Sequence, residues 1–199
     1  VSAVGSVVTI TRQNDGGAAT SGAKSFDLTN IQNPRVTGLT GTFVIETQTN
    51  GSVKMDEDQN VPGVTITAGQ LTNTSVTLAN QLAGATGNMT VSFTNANPIP
   101  ENGHFQLTFP AGFDLTSPSL GASSAADIGG VLTVGVNGQI LTVNLGSELE
   151  AGTVIDDLVI ANVKNPTSGG TTGTFAMETQ NASDVKIDQS APVAGLPIV

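Results

Sequence analysis

NPRVTGLTGTFVIETQTNGSVKMD, residues 33–56, returns as NPTSGGTTGTFAMETQNASDVKID, residues 165–188, at one constant spacing with no gap. Asn-Pro, Thr-Gly-Thr-Phe, Glu-Thr-Gln, Val-Lys and an Asp recur in register, which pairs Phe43 with Phe175, Glu46 with Glu178 and Asp56 with Asp188. Chance does not match so many positions in so short a run. The chain carries an internal duplication, and a repeat of this kind sets the phase of the fold before any strand is assigned.

The match extends both ways. DLTNIQNP, residues 27–34, lies over VIANVKNP, residues 159–166, and VSAVGSVVTIT at the start lies over VGVNGQILTVN, residues 134–144, after one residue of slippage. Val1 thus corresponds to Val134, and Val199 to Thr67. The order is second half, first half, second half of one repeat. This predicts an incomplete unit over residues 1–66, equivalent to 134–199, and a complete unit over 67–199.

Within that frame the strand signals are short and regularly spaced. Residues 42–49 alternate, with Phe43, Ile45 and Thr47 on one side, as in a strand with one buried face. Asn50-Gly51 marks a hairpin turn before a returning strand at 53–56, and Asn137-Gly138 marks another. Strands are expected at 1–11, 25–31, 71–78, 89–95, 104–109, 131–136, 139–145 and 153–162. Pro/Gly corners lie at 97–104 and 109–114, and 117–130 reads as an irregular connection. No stretch shows the helical period. The fold class is therefore all-β: tandem immunoglobulin-like β-sandwiches, one incomplete and one complete. Phe93, Phe105, Phe109, Phe113 and Phe175 are expected in the core of the complete unit, leaving Phe26 and Phe43 in the other.

Composition bounds the function. Sixteen acidic against six basic residues leave a net charge of −10, which repels phosphate backbones and anionic lipid and argues against nucleic acid as a partner. Only 11% of residues are charged, Gly is abundant, and Cys, Trp and Tyr are absent. This suits a β-rich extracellular protein built of small side chains. Thiol chemistry is excluded, although zero Cys places a unit of this size on neither side of a membrane. The best apolar run, 154–163, is interrupted by Asp156 and Asp157, so no membrane span is expected. Residues 1–10 lack the basic start and Leu-rich run of a secretory signal.

The chemistry-bearing residues form no known constellation. His104 is the single histidine; without Cys it makes a poor zinc set, and no Gly-x-Ser-x-Gly elbow accompanies it. Asp56, Glu57 and Asp58 match no calcium-loop spacing and read as a solvated acidic turn, since the second copy keeps only Asp188. Glu101, Glu148, Glu150, Asp156 and Asp157 offer carboxylates for glycoside hydrolysis, but no Trp or Tyr is present to stack a sugar ring. Phosphate-cradling and dinucleotide fingerprints are absent. The chain is read as a non-enzyme that needs no metal or cofactor. N-glycosylation sequons stand at Asn50, Asn73, Asn88 and Asn181, with Asn50 and Asn181 in the same hairpin turn of the two copies.

NPIP (residues 97–100), LTFPAGF (107–113), the two Asn-Pro steps and the two TGTF steps (40–43 and 172–175) resemble the repeats of large secreted surface proteins of eukaryotic microbes. The incomplete unit resembles the subunits of donor-strand-type extracellular fibres. Those resemblances imply a secreted or cell-surface structural protein, glycosylated, assembling head to tail with copies of itself by intersubunit strand pairing. The candidate donor strands are residues 1–10, with Val1, Val4, Val8 and Ile10, and the apolar end 195–199, with Leu196 and Ile198. The alternative is a piece of a tandem-repeat stalk or adhesin, in which further sequence completes the half unit.

Overall fold

The alternation of apolar residues with Thr, Ser and Asn decides which side chains meet. In the computed structural model, which describes residues 1–12, 21–121, 128 and 131–199, every regular element among the described residues is a strand. The chain divides into two units, Val1–Gln32 and Asn33–Val199.

The first unit holds one hairpin, β1 (Ser2–Val4) and β2 (Val7–Thr9), with Val4 opposite Val7. Gly5 turns it at φ 58°, a left-handed conformation that costs glycine little. The single strand expected over 1–11 is thereby corrected: the turn lacks the Asn-Gly signal and was legible only through its counterpart Gly138, at φ 60°.

The second unit contains β3 (Gly38–Leu39), β4 (Phe43–Gln48), β5 (Lys54–Val61), β6 (Thr65–Ile66), β7 (Gly69–Gln70), β8 (Thr72–Leu78), β9 (Thr86–Thr94), β10 (His104–Thr108) and β11 (Ser119–Leu120). It continues with β12 (Thr133–Asn137), β13 (Ile140–Asn144), β14 (Val154–Lys164), β15 (Gly170–Thr171), β16 (Ala176–Gln180), β17 (Lys186–Gln189) and β18 (Pro197–Ile198). Two sheets form the sandwich, one in the order β12-β13-β10-β16-β17-β7 and the other β11-β14-β9-β8. All pairings are antiparallel except β17 with β7. The expected irregular connection holds β11 at its start; residues 122–127, 129 and 130 lie outside the described residues.

Period-2 burial fills the space between the sheets. Met89, Val91 and Phe93 alternate inward along β9, and Leu158, Ile160 and Val163 along β14, all at most 1% exposed. Phe93 stacks on Phe105 across the sandwich at 4.6 Å between centroids, while Phe109 meets Phe113 and Phe175 edge to face and Phe113 is tilted against Phe175, with centroids 5.4–5.7 Å apart. Offset and edge contacts of this kind add to the area each ring removes from water. All five rings expected in the core are in it.

The strand expected over 25–31 does not form. Its counterpart lies in β14, which pairs with β9 on one side and β11 on the other. Strand geometry is a property of the ladder, and an extended segment with no partner has none. The segment nonetheless keeps the shape of its counterpart at the bulge, since Asn30 and Asn162 both have φ 61° and β14 shifts register between Ile160 and Val163.

Candidate assembly interface

The duplicated stretch folds the same way twice. Thr47 faces Asp56 and Gln48 faces Lys54 in the β4–β5 hairpin, with a bulge between the two pairs. Thr179 faces Asp188 and Gln180 faces Lys186 in β16–β17, with the bulge at the same place. The short ladders agree as well, Gly38 with Ile66 in the first copy and Gly170 with Ile198 in the second. The turns close by Thr49 N to Val53 O and by Asn181 N to Val185 O, with Ser52 and Asp184 both at φ 59°. An ion pair crosses each hairpin, Lys54 to Glu46 at 3.3 Å and Lys186 to Glu178 at 2.7 Å. Gln48 and Gln180 each donate to the Glu two residues before them.

What differs is the surroundings. Phe175, Met177, Thr179, Ile187 and Asp188 are all at most 2% exposed. Their counterparts Phe43, Ile45, Thr47, Met55 and Asp56 are all exposed, Phe43 at 49% and Met55 at 59%. The same holds in the first unit, where exposed Phe26, Leu28 and Ile31 stand at the positions of the buried Leu158, Ile160 and Val163. A contiguous apolar sheet face in water is not an ordinary surface, because single scattered apolar residues need no explanation whereas a face does.

The groups that cover the second copy come from one stretch of sequence. β10 pairs along β16, from His104 opposite Gln180 to Thr108 opposite Ala176. Phe109 and Phe113 pack on Phe175. Asn165, 2% exposed, donates to the carbonyls of Asn80 and Leu82 at 2.8 and 2.9 Å. Asp188 accepts from Ala96 N, Asn97 N and Asn97 Nδ2 at 3.2, 3.2 and 2.7 Å. Each of these covering residues lies in 67–133, the half of the repeat that occurs once in residues 1–199. The hairpin β4–β5 therefore has an open ladder edge on each side among the described residues, where β16–β17 is flanked by β10 and β7.

Gly69 sits at the tightest point of this seam. A Cβ there would fall 2.1 Å from Asp188 Oδ1 and 2.3 Å from Asn97 Nδ2. Gly69→Ala is expected to break the Asp188 contacts and lower the unfolding free energy by about 2–3 kcal/mol, read as a lower midpoint in urea with an unchanged slope.

The first copy is anchored at its start. Thr37 N donates to Lys186 O at 2.9 Å, Arg35 pairs with Glu148 at 2.6 Å, and Val36 packs against the core. These contacts hold 33–37 to the edge of the sandwich and leave β4–β5 presented beyond it.

Other residues singled out in the sequence fall as follows. Asp56, Glu57 and Asp58 lie in β5, not in a turn; the hairpin continues through them because their side chains stay in water, where Lys54 bonds Glu57 and Glu46. Those bonds raise the Lys54 ammonium above its ordinary value and lower the Glu57 carboxyl. His104, 5% exposed, contacts Gln180 Oε1 through Nε2 at 2.7 Å and Asp184 at 3.4 Å, tying β10 to β16 and the following turn. A shallow polar depression of about 290 Å³ is lined by Thr86, Asp114, Thr116, Ser117, Asn162 and Lys164; bonds from Thr116 hold the Asp114 carboxyl below its ordinary range. No group of three or more metal-ligating side chains is present among the described residues, and no helix among them is long and apolar enough to cross a membrane. Asn50, Asn73 and Asn88 are exposed and Asn181 is half-buried; Asn50 stands one position further along its turn than Asn181, whose Oδ1 accepts from Ser183 N and Val185 N. Val1, Val4 and Ile10 are exposed and Val8 half-buried. Ile198 is 4% exposed and Leu196 partly buried against the core, both already engaged in their own sandwich.

No protein-family model and no curated protein matches the sequence. Among solved structures, the non-cellulosomal cohesin from the hyperthermophilic archaeon Archaeoglobus fulgidus is similar at TM-score 0.39 and 14% identity, over 65% of this chain and 91% of that one. The sixth cohesin of Acetivibrio cellulolyticus scaffoldin B, solved with a dockerin, is similar at TM-score 0.36 and 12% identity, over 61% and 95%. A type I cohesin of a Clostridium thermocellum cohesin–dockerin complex gives 0.34 and 11%, over 63% and 98%. Likeness this distant carries nothing about partner or activity.

Proposed function

We propose that this chain is a non-enzymatic structural protein of the extracellular space, built of β-sandwich repeats, in which residues 1–66 are an incomplete unit and 67–199 a complete one. The half unit is completed by strand pairing with a further segment of the 67–133 pattern, as in a tandem-repeat stalk or adhesin. One observation carries this reading: Phe43 and its neighbours hold the conformation of Phe175 and its neighbours while lacking their cover. The low share of charged residues and the exposed sequons Asn50, Asn73 and Asn88 fit the compartment.

A head-to-tail filament of identical chains is the second reading, favoured by the exposed hairpin with Val1, Val4 and Ile10. Among residues 1–199 the one first half, 67–133, already covers 165–188, which weighs against completion by exchange. An unclosed head-to-tail contact would have to use β1–β2 instead.

The test is the full chain with a second copy of residues 67–133 fused in phase before Val1. Amide exchange at 43–61 is expected to slow by about 100-fold or more relative to the unextended chain. Unchanged exchange overturns the tandem reading. Negative-stain electron microscopy of the unextended chain decides the rival, since regular filaments of this chain alone would put the homopolymer first.

A further inference from the structure

We infer that Asp56 sets the register of that completion and that the segment it accepts presents an Asn-x-Asn corner with two backbone N–H groups and one side-chain amide turned inward. The inference rests on the proposed completion and adds which chemistry is recognised. The apolar residues of the exposed face choose poorly among partners, because any strand with an alternating apolar face covers Phe43 and Ile45, and although a one-residue slip turns that face outward, a slip of two residues along the ladder still buries carbon against carbon. Asp56 is the group that can.

Its counterpart shows how. Asp188 is fully buried, yet its carboxylate is satisfied: Oδ2 accepts from Ala96 N and Asn97 N, and Oδ1 from Asn97 Nδ2. The corner that donates is itself held rigid, since Asn95 Nδ2 donates to Asn97 O at 2.8 Å and to Glu150 O at 2.7 Å. Gly69 passes so close that no side chain fits between. In the first copy the same carboxylate is exposed and accepts from Thr47 Oγ1 at 3.0 Å. In the second copy that threonine's hydroxyl, on Thr179, instead accepts from Asp188 N at 3.1 Å. The Thr47 hydroxyl thus occupies Asp56 in the open half unit and is released to its backbone when donors arrive.

Burying a carboxylate opposite a partner that lacks those donors costs several kcal/mol, which exceeds what one or two apolar contacts return. Asp56 therefore rejects mismatched strands and slipped registers, and admits a corner of the Asn95-Ala96-Asn97 kind. Of the three acidic residues in β5, it is the one repeated in the second copy, where Glu57 and Asp58 give way to Gln189 and Ser190.

The experiment uses the extended chain described above. Asp56→Ala in it is expected to return exchange at 43–61 towards the unextended rate by at least about 10-fold. An alanine at the Asn97 position of the added copy should do the same, and the two together no more than either alone. In the unextended chain Asp56→Ala should change nothing, and exchange at 176–189, held by Asp188, serves as the folding control. If the extension protects 43–61 and Asp56→Ala leaves that protection intact, the register role is overturned while the completion stands. If the extension protects nothing, both are overturned.

Discussion

Phe175→Ala should lower the unfolding free energy by about 3–5 kcal/mol, while Phe43→Ala, the same substitution at the same place in the other copy, should change it by no more than about 0.5 kcal/mol. The two rings occupy equivalent positions on hairpins of matching register, so neither strand propensity nor hairpin geometry separates them. Burial does. Phe175 is 0% exposed and touches the rings of Phe109 and Phe113; removing it leaves a cavity that close-packed neighbours collapse into only partly. Phe43 is 49% exposed and has no such neighbours to lose. Urea titration of the two variants measures the contrast directly. Equal costs would mean that residues 43–61 are already covered in solution by another copy, and sedimentation of the unmodified chain would then show an oligomer.

The duplication was the most legible feature, because register between two copies is read by matching letters and needs no estimate of energy. It placed the β4–β5 hairpin and its turn, and the Phe distribution placed the core. Two of the expectations that failed did so for separate reasons. The β1–β2 turn is formed by Gly5 and Ser6, and a lone Gly in an apolar run is as compatible with a strand as with a turn. The segment 25–31 has the apolar pattern of β14, with Phe26, Leu28 and Ile31 at the places of Leu158, Ile160 and Val163, yet no strand forms there. Sequence pattern reports what a segment does when its partners are present; it does not report whether they are. The interface followed the same division. That half a repeat lacks its cover could be counted from the letters, but the role of Asp56 could not, because an acidic residue beside two others reads as solvated. The recurrence of that one carboxylate was the available signal, and its meaning needed the donors of Ala96 and Asn97, which lie 92 and 91 residues away in sequence from Asp188.

Asp188→Ala is the complementary substitution, and its expected cost of about 3–5 kcal/mol has a different origin. Alanine leaves little cavity strain at this site compared with loss of a ring; it leaves donors. Ala96 N, Asn97 N and the Asn97 amide, part-buried at this corner, would all lose their acceptor, and each donor left buried and unsatisfied costs about 1–3 kcal/mol before the structure relaxes. Relaxation is limited because Asn95 clamps the corner to Glu150 O and because Gly69 runs against it. Asp188→Asn separates charge from shape: its carbonyl oxygen can still receive the backbone pair, but its amide meets the amide of Asn97, so an intermediate loss is expected. Asp56→Ala in the same chain should be within about 0.5 kcal/mol of neutral, since it removes one exposed bond to Thr47. The difference between these two alanine variants, measured by urea unfolding, is the energetic size of the corner contact. In the proposed completion, that contact is the quantity available to residues 33–66 from a matching segment. A small difference would leave the apolar face as the sole source of completion, and such a face would accept partners without regard to register.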